Sequence, residues 1–163
     1  MAGILDARPK VGYFYTGKTH LSYISERIRS IKVSDVKSVP VVVDEATSIY
    51  DSIVLMFLED VGSIFVTNNG YLSGVVSRKD FIKSALGGMD LNKMPIGMIM
   101  TRMPNVIFVK DDDNVLEAAM KLIDHEIDSL PVVEEEKGKG YKVIGRVTKT
   151  TITRLFVELG KGE

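Results

Sequence analysis

Cysteine does not occur among the 163 residues. Disulfides, thiolate nucleophiles and cysteine-based zinc sites are therefore excluded, and the chain tolerates a reducing compartment. Imidazole is scarce too: His20 and His125 are far apart and show no ligand spacing, so no metal site is expected from them. The acidic run KDDDN (110–114) lacks the glycine and downstream glutamate of an EF-hand loop and reads as a solvated turn before a helix. Neither a GxxxxGKS/T loop nor a strand-borne GxGxxG is present, and no serine has a histidine and an acid near it. No carboxylate pair stands in a catalytic setting, so catalytic residues are not expected and the chain is not read as an enzyme. No apolar run reaches the length of a membrane span, and MAGILDARPK has no apolar signal core, which points to a soluble cytoplasmic protein without a membrane partner. Excess basic charge is missing as well. The formal net charge is −1 with 26% charged residues, which argues against a nucleic-acid surface spread over the whole chain.

What is present is a duplication. Displaced by 66 positions, the stretch 41–66 falls on 107–132, laying Val43 on Val109, Ile49 on Val115, Val61 on Ile127, Ser63 on Ser129 and Val66 on Val132. Beyond five extra residues in the second copy, which contain EEEKGKG, Gly74 falls on Gly145 and Val76 on Val147. GVVSRKD (74–80) thus returns as GRVTKTT (145–151), with Thr148 in place of Ser77 and Thr151 in place of Asp80.

Each copy reads as strand, helix, two strands and helix. Ser48 with Asp51, and Asn114 with Glu117, have the spacing of an N-cap and its N3 partner. Ile49, Ile53, Met56 and Phe57, and Val115, Ala118, Ala119, Leu122 and Ile123, follow at helical intervals. SIFVT, YLSGVVS, SLPVVE and KVIGRVT are short and rich in β-branched residues, with TNNGY and EEKGKGY as turns. Residues 1–32 stand outside the repeat and carry +4 against −5 for the remainder. There ARPKVGYFYTG interleaves basic and aromatic residues, which suits either a hairpin lying against phosphates or an ordinary packed strand ahead of the helix HLSYISERIRSI.

The doubled strand-helix-strand-strand-helix order, the SLPVVE strand and the GVVSRKD pattern together resemble the CBS domain pair, or Bateman module, over residues ~33 to 160. RPKVGYFYTGK and GGMDLNKMPIGMIMTRMPN further resemble the region that follows the winged helix-turn-helix in the CcpN type of catabolite repressor. The resemblance implies an α/β (α+β) fold of two β-α-β-β-α units packed through their sheets with pseudo-two-fold symmetry. Residues 33–90 would be the first CBS domain and 91–163 the second. Residues 1–32 would be the linker or remnant of the DNA-reading domain plus a lead-in helix.

The same resemblance implies a sensor of adenine nucleotides (ADP, ATP or AMP) that needs no cofactor. It would act as a homodimer and meet DNA only through a domain absent from this chain, controlling gluconeogenic or catabolic genes. The alternatives are a regulatory or dimerisation module of an enzyme or transporter, and a stand-alone energy sensor. In the implied site Asp80, on the first turn of a helix, takes the ribose hydroxyls, and Ser77 beside the helix N-terminus takes a phosphate. Val75, Ile107 and Ile127 would hold the adenine, backbone near Thr101 would read its edge, and Arg102, ahead of Arg78 and Lys79, would neutralise phosphate. Thr148 and Thr151 form a weaker second site, because Thr151 offers a ribose only a neutral hydroxyl and Arg146 replaces an apolar residue at the position of Val75.

Overall fold

The computed structural model describes residues 21–161, so the expectations for residues 1 to 20, the basic and aromatic segment included, lie outside the described residues. Helix α1 (Leu21–Ser30) and the single turn α2 (Val33–Val36) lead into the first repeat, which runs β1 (Val42–Asp44), α3 (Ile49–Leu58), β2 (Ser63–Asn68), β3 (Tyr71–Ser77) and α4 (Arg78–Leu86). A 3-10 turn (Ile96–Met98) and β4 (Thr101–Arg102) lead into the second, β5 (Val109–Lys110), α5 (Val115–Asp124), β6 (Ser129–Glu136), β7 (Gly140–Thr148) and α6 (Lys149–Lys161). The caps form as their spacing predicts: Ser48 Oγ accepts the Asp51 amide at 3.0 Å, and Asn114 Oδ1 accepts the Glu117 amide at 2.9 Å. Asn69 and Gly70, at φ 51° and 82°, close the β2–β3 hairpin with the two left-handed residues that its twist demands.

The first sheet has the order β1-β2-β3-β4 and the second β5-β6-β7. In each, the first strand is parallel to the second and the hairpin is antiparallel. The register slips at Val66/Thr67 in β2 and at the equivalent Val132/Val133 in β6, so both repeats bend at the same place. Each repeat has its own core: Ile49, Met56, Ile64, Val66, Val76 and Phe81 in one, Val109, Ala118, Leu122, Leu130, Val132 and Val147 in the other. Phe65, Leu72, Val106 and Val133 make a third core between them, with Met103 at its edge.

The lead-in segments cross over. Val33, from ahead of the first repeat, is fully buried in the core of the second, and Ile96, from ahead of the second, is fully buried in the core of the first. The exchange is held by matched backbone bonds: Val33 N to Asp113 O at 2.9 Å and Val115 N to Ile31 O at 2.9 Å, against Ile96 N to Thr47 O at 2.7 Å and Ile49 N to Met94 O at 2.9 Å. Further along, Ser38 and Arg146 exchange two backbone bonds of 2.9 Å, as Thr101 pairs with Val75 across β4 and β3. Each repeat therefore closes its sheet and caps its first helix with residues borrowed from the other's approach.

A polar tie joins the outer ends of the hairpins. Tyr71 donates to Glu136 Oε2 at 2.7 Å, and Lys142 and Lys139 pair with the same carboxylate. Hydrogen bonding from Lys142, then from Tyr71, holds the Glu136 carboxyl at about 2, against an ordinary 4.5.

Two outcomes follow from this construction. Val33→Ala, in the approach to the first repeat, destabilises by about 2 kcal/mol and Ile96→Ala by about 3 kcal/mol. Native-state hydrogen exchange should show the loss in the opposite repeat: Val33→Ala speeds exchange in β5 to β7 first, and Ile96→Ala in β1 to β3. For Glu136, a carboxyl depressed on folding stabilises the protein above its unfolded value and ceases to do so as pH falls through the folded one. Its contribution is complete above pH ~4.5 and gone near 2. Urea midpoints of wild type and Glu136→Gln should differ at pH 7 and draw together as pH approaches 2.

Candidate functional site

Where β3 runs into α4, the Asp80 carboxylate turns back on Ser77. Its Oδ2 accepts the Ser77 amide at 2.9 Å and the Ser77 hydroxyl at 2.6 Å, so the two expected ligand groups are each other's partners in a charged cap. Asp80 Oδ1 makes no hydrogen bond among the described residues. The structure also brings Val75 beside Thr101, as register partners of β3 and β4. Ile107 and Ile127 each pack on the edge of the second core. Val75 packs instead against the core between the repeats.

Arg102 stands elsewhere. Its Nη2 donates to Gly97 O at 2.6 Å and its Nη1 lies 3.5 Å from Glu45 Oε1, bracing β4 against the corner after β1. Ser73 donates to the other Glu45 oxygen at 2.6 Å. That hydrogen bond first, and the Arg102 charge after it, hold the Glu45 carboxyl below its ordinary value despite some desolvation. The guanidinium expected to meet a phosphate thus already has a carboxylate partner, which the local sequence TRMP gives no means of foreseeing.

The principal cleft opens at the other motif. It measures about 750 Å3 and is walled by the approach to the first repeat (Asp35, Val36, Ser38), by the loop into β2 (Asp60 to Ser63) with Arg78, and by Thr148, Thr151 and α6. None of Val75, Ser77, Asp80, Thr101, Arg102, Ile107 or Ile127 lines it, whereas both Thr148 and Thr151 do. By its walls this cleft belongs to the Thr148 and Thr151 motif.

The β7–α6 junction explains the chemistry of this cleft. Thr148 N donates to Thr151 Oγ1 at 3.2 Å, Thr151 N to Thr148 Oγ1 at 3.1 Å, and the hydroxyls lie 3.0 Å apart. This is the Ser77–Asp80 cap rebuilt without charge. The first turn of α4 contains Asp80, while that of α6 contains no acid, so the positive end of the α6 dipole is uncompensated by the chain's own carboxylates there. Thr151, Arg154, Leu155 and Glu158 follow at helical spacing and share the face turned to the cleft.

Four cations and four carboxylates line the space, but not all are paired with each other. Lys149 holds Asp128 at 2.7 Å, and Arg78 lies 4.0 Å from Asp60. Arg146 and Arg154 have no carboxylate partner among the described residues. Arg146 Nε donates instead to Ser38 Oγ at 3.2 Å. Ser63 Oγ, in the cleft wall, is screened from solvent and lacks a hydrogen-bond partner. Arg154 was legible as part of an α6 face; Ser38 was not, since it meets Arg146 only through the crossover.

Comparison with known proteins agrees with this architecture. The CBS domain model matches residues 33–87 and 96–158. Along its whole length the chain is 46% identical to the transcriptional repressor CcpN of Bacillus subtilis (strain 168), covering 77% of that protein. Among solved structures, the CBS domain pair of protein MJ0100 in complex with 5′-methylthioadenosine and S-adenosyl-L-methionine superposes with a TM-score of 0.66 at 29% identity, over 78% of this chain and 96% of that one. CBSX2 in complex with AMP superposes at 0.68 with 27% identity, over 80% and 99%. Two matched family segments, a duplicated β-α-β-β-α fold and a full-length relative place this chain in the CBS domain family, as a tandem pair.

Proposed function

We infer that the chain is the ligand-sensing half of a transcriptional repressor, and that it binds an adenosine-containing ligand, an adenine nucleotide such as ADP, ATP or AMP, in the cleft beside Thr148 and Thr151. The observation that carries the reading is the cleft itself. It combines a helix whose first turn holds no acid, the hydroxyls of Thr148 and Thr151, and two arginines, Arg146 and Arg154, without a carboxylate partner among the described residues. An anionic group at the α6 N-terminus gains from the dipole. CcpN is a transcriptional repressor, and 46% identity supports the same regulatory role here, with DNA met through another domain and no chemistry performed on the ligand.

Ser77 and Asp80 form the symmetric candidate. Asp80 Oδ1 is open to a sugar hydroxyl, while the same carboxylate already neutralises the end of α4 and so disfavours phosphate there. We therefore assign the anionic ligand to the Thr148 cleft and treat Asp80 as a second reading.

The chain also acts as a homodimer in this reading. Val54 and Phe57 on α3 are exposed, and so are Met120 and Ile123 at the equivalent positions on α5. A groove of about 520 Å3 on the first repeat is lined by Ile53, Met56, Phe57, Asp60, Arg78, Phe81, Ile82 and Ala85. An apolar face repeated by the internal symmetry is self-complementary to a second copy, as a two-fold interface requires.

A thermal-shift panel of ATP, ADP, AMP and S-adenosylmethionine tests the ligand. At ~100 times its dissociation constant a true ligand adds ~2.7 kcal/mol of stability, and a flat response to every member removes the sensing role. Thr148→Val should weaken binding about fivefold to tenfold while Asp80→Ala changes it little; the opposite pattern moves the site to Asp80. Light scattering tests the assembly: Phe57→Glu should convert a dimer to a monomer, and a wild-type monomer at micromolar concentration contradicts it.

A further inference from the structure

The two crossing approaches differ in one respect that matters for signalling. In the approach to the second repeat, the residue at the crossing is Thr101, opposite the apolar Val75, and the neighbouring Arg102 is committed to Glu45 and Gly97. In the approach to the first repeat, the residue is Ser38, opposite Arg146. Here the pairing carries a charge. Arg146 Nε donates to Ser38 Oγ at 3.2 Å, and both residues line the cleft. This approach is also the one that continues backwards, through the single turn α2 and Ile31, into α1.

We propose that Arg146 and Ser38 form a latch by which the charge of the ligand is felt in the segment 31–38: an anionic group in the cleft draws the Arg146 guanidinium off Ser38 and loosens that segment. The proposal rests on the ligand reading given above. A guanidinium bonded to one neutral hydroxyl exchanges it readily for a phosphate, which adds the attraction of opposite charges and offers the planar fork two oxygens at once. The segment is held elsewhere by contacts the ligand does not touch. Val33 is fixed in the second core, and Lys37 pairs with Asp111 while its side chain lies over Gly145. Ser38 also keeps its two backbone bonds to Arg146, so the latch is the side-chain tie added to that pairing; Asp35 and Val36, between Val33 and Lys37, are themselves cleft wall. A neutral adenosine ligand in the same cleft leaves the latch closed. The cleft also holds the carboxylates Asp35, Asp60, Asp128 and Glu158, which oppose an anion there.

Hydrogen exchange followed by mass spectrometry on this chain, alone and with saturating ADP or adenosine, tests the latch, with melting shifts run in parallel to report binding. ADP should speed exchange in peptides covering 31–38 about fivefold, and adenosine should leave it unchanged while still raising the melting temperature. Ser38→Ala should show the faster exchange without ligand, with ADP adding little to it. A melting shift with ADP but no change in 31–38 overturns the latch and leaves the ligand reading intact. So does an equal response to bound adenosine, or a Ser38→Ala segment that exchanges like wild type. Absence of any ADP shift overturns the ligand reading and the latch with it.

Discussion

The structure depends on the reciprocal burial of Val33 and Ile96. A single β-α-β-β-α unit of this size has one short parallel strand beside a hairpin and leaves the start of its first helix and one edge of its sheet uncovered. Each repeat here meets that need with the other's approach segment, so that the backbone of Val33 and Val115 on one side, and of Ile96 and Ile49 on the other, are joined by bonds of similar length. Neither repeat is closed by its own residues alone. The core formed by Phe65, Leu72, Val106 and Val133 then fills what lies between the sheets. Because the approach to the first repeat also forms one wall of the cleft, the crossover that closes the second repeat helps to shape that cleft.

The duplication, both helix caps and both hairpins were legible in the sequence because each rests on local spacing: a cap and its N3 partner, an Asn-Gly turn, apolar residues at helical intervals. The crossover was not. Ser38 and Arg146 are 108 positions apart, and nothing in the composition of either neighbourhood marks the pairing. The place assigned to Arg102 failed for a related reason: Glu45, its partner, comes from the other end of the same sheet. Thr101 does stand beside Val75, since strand register pairs them, while Ile107 and Ile127 each pack on the edge of the second core.

The comparison of the two motifs shows how one substitution redirects a site. At α4 the protein supplies its own anion: Asp80 accepts two bonds from Ser77 and lies in the first turn, where a negative charge is worth about 0.3–1 kcal/mol against the helix dipole. At α6 the same geometry is kept by two threonine hydroxyls with no charge at all. Reading the missing carboxylate as a lost ribose contact makes the second motif the poorer one. Reading it as a helix end left uncompensated makes it the better receptor for an anion, and the arginine that replaces the apolar residue at the position of Val75 points to the same outcome.

That arginine also breaks the internal symmetry in a useful direction. A perfectly two-fold pair of repeats would respond to ligand identically at both crossings, with no preference for the segment that carries α1. With Val75 at one crossing and Arg146 at the other, the proposed latch would sense charge on one side alone, the side continuous with α1. A ligand shifts an equilibrium only by the difference in its affinity for the two states. In this fold the difference resides in one guanidinium, which has a neutral partner when the segment is held and a charged one when it is not.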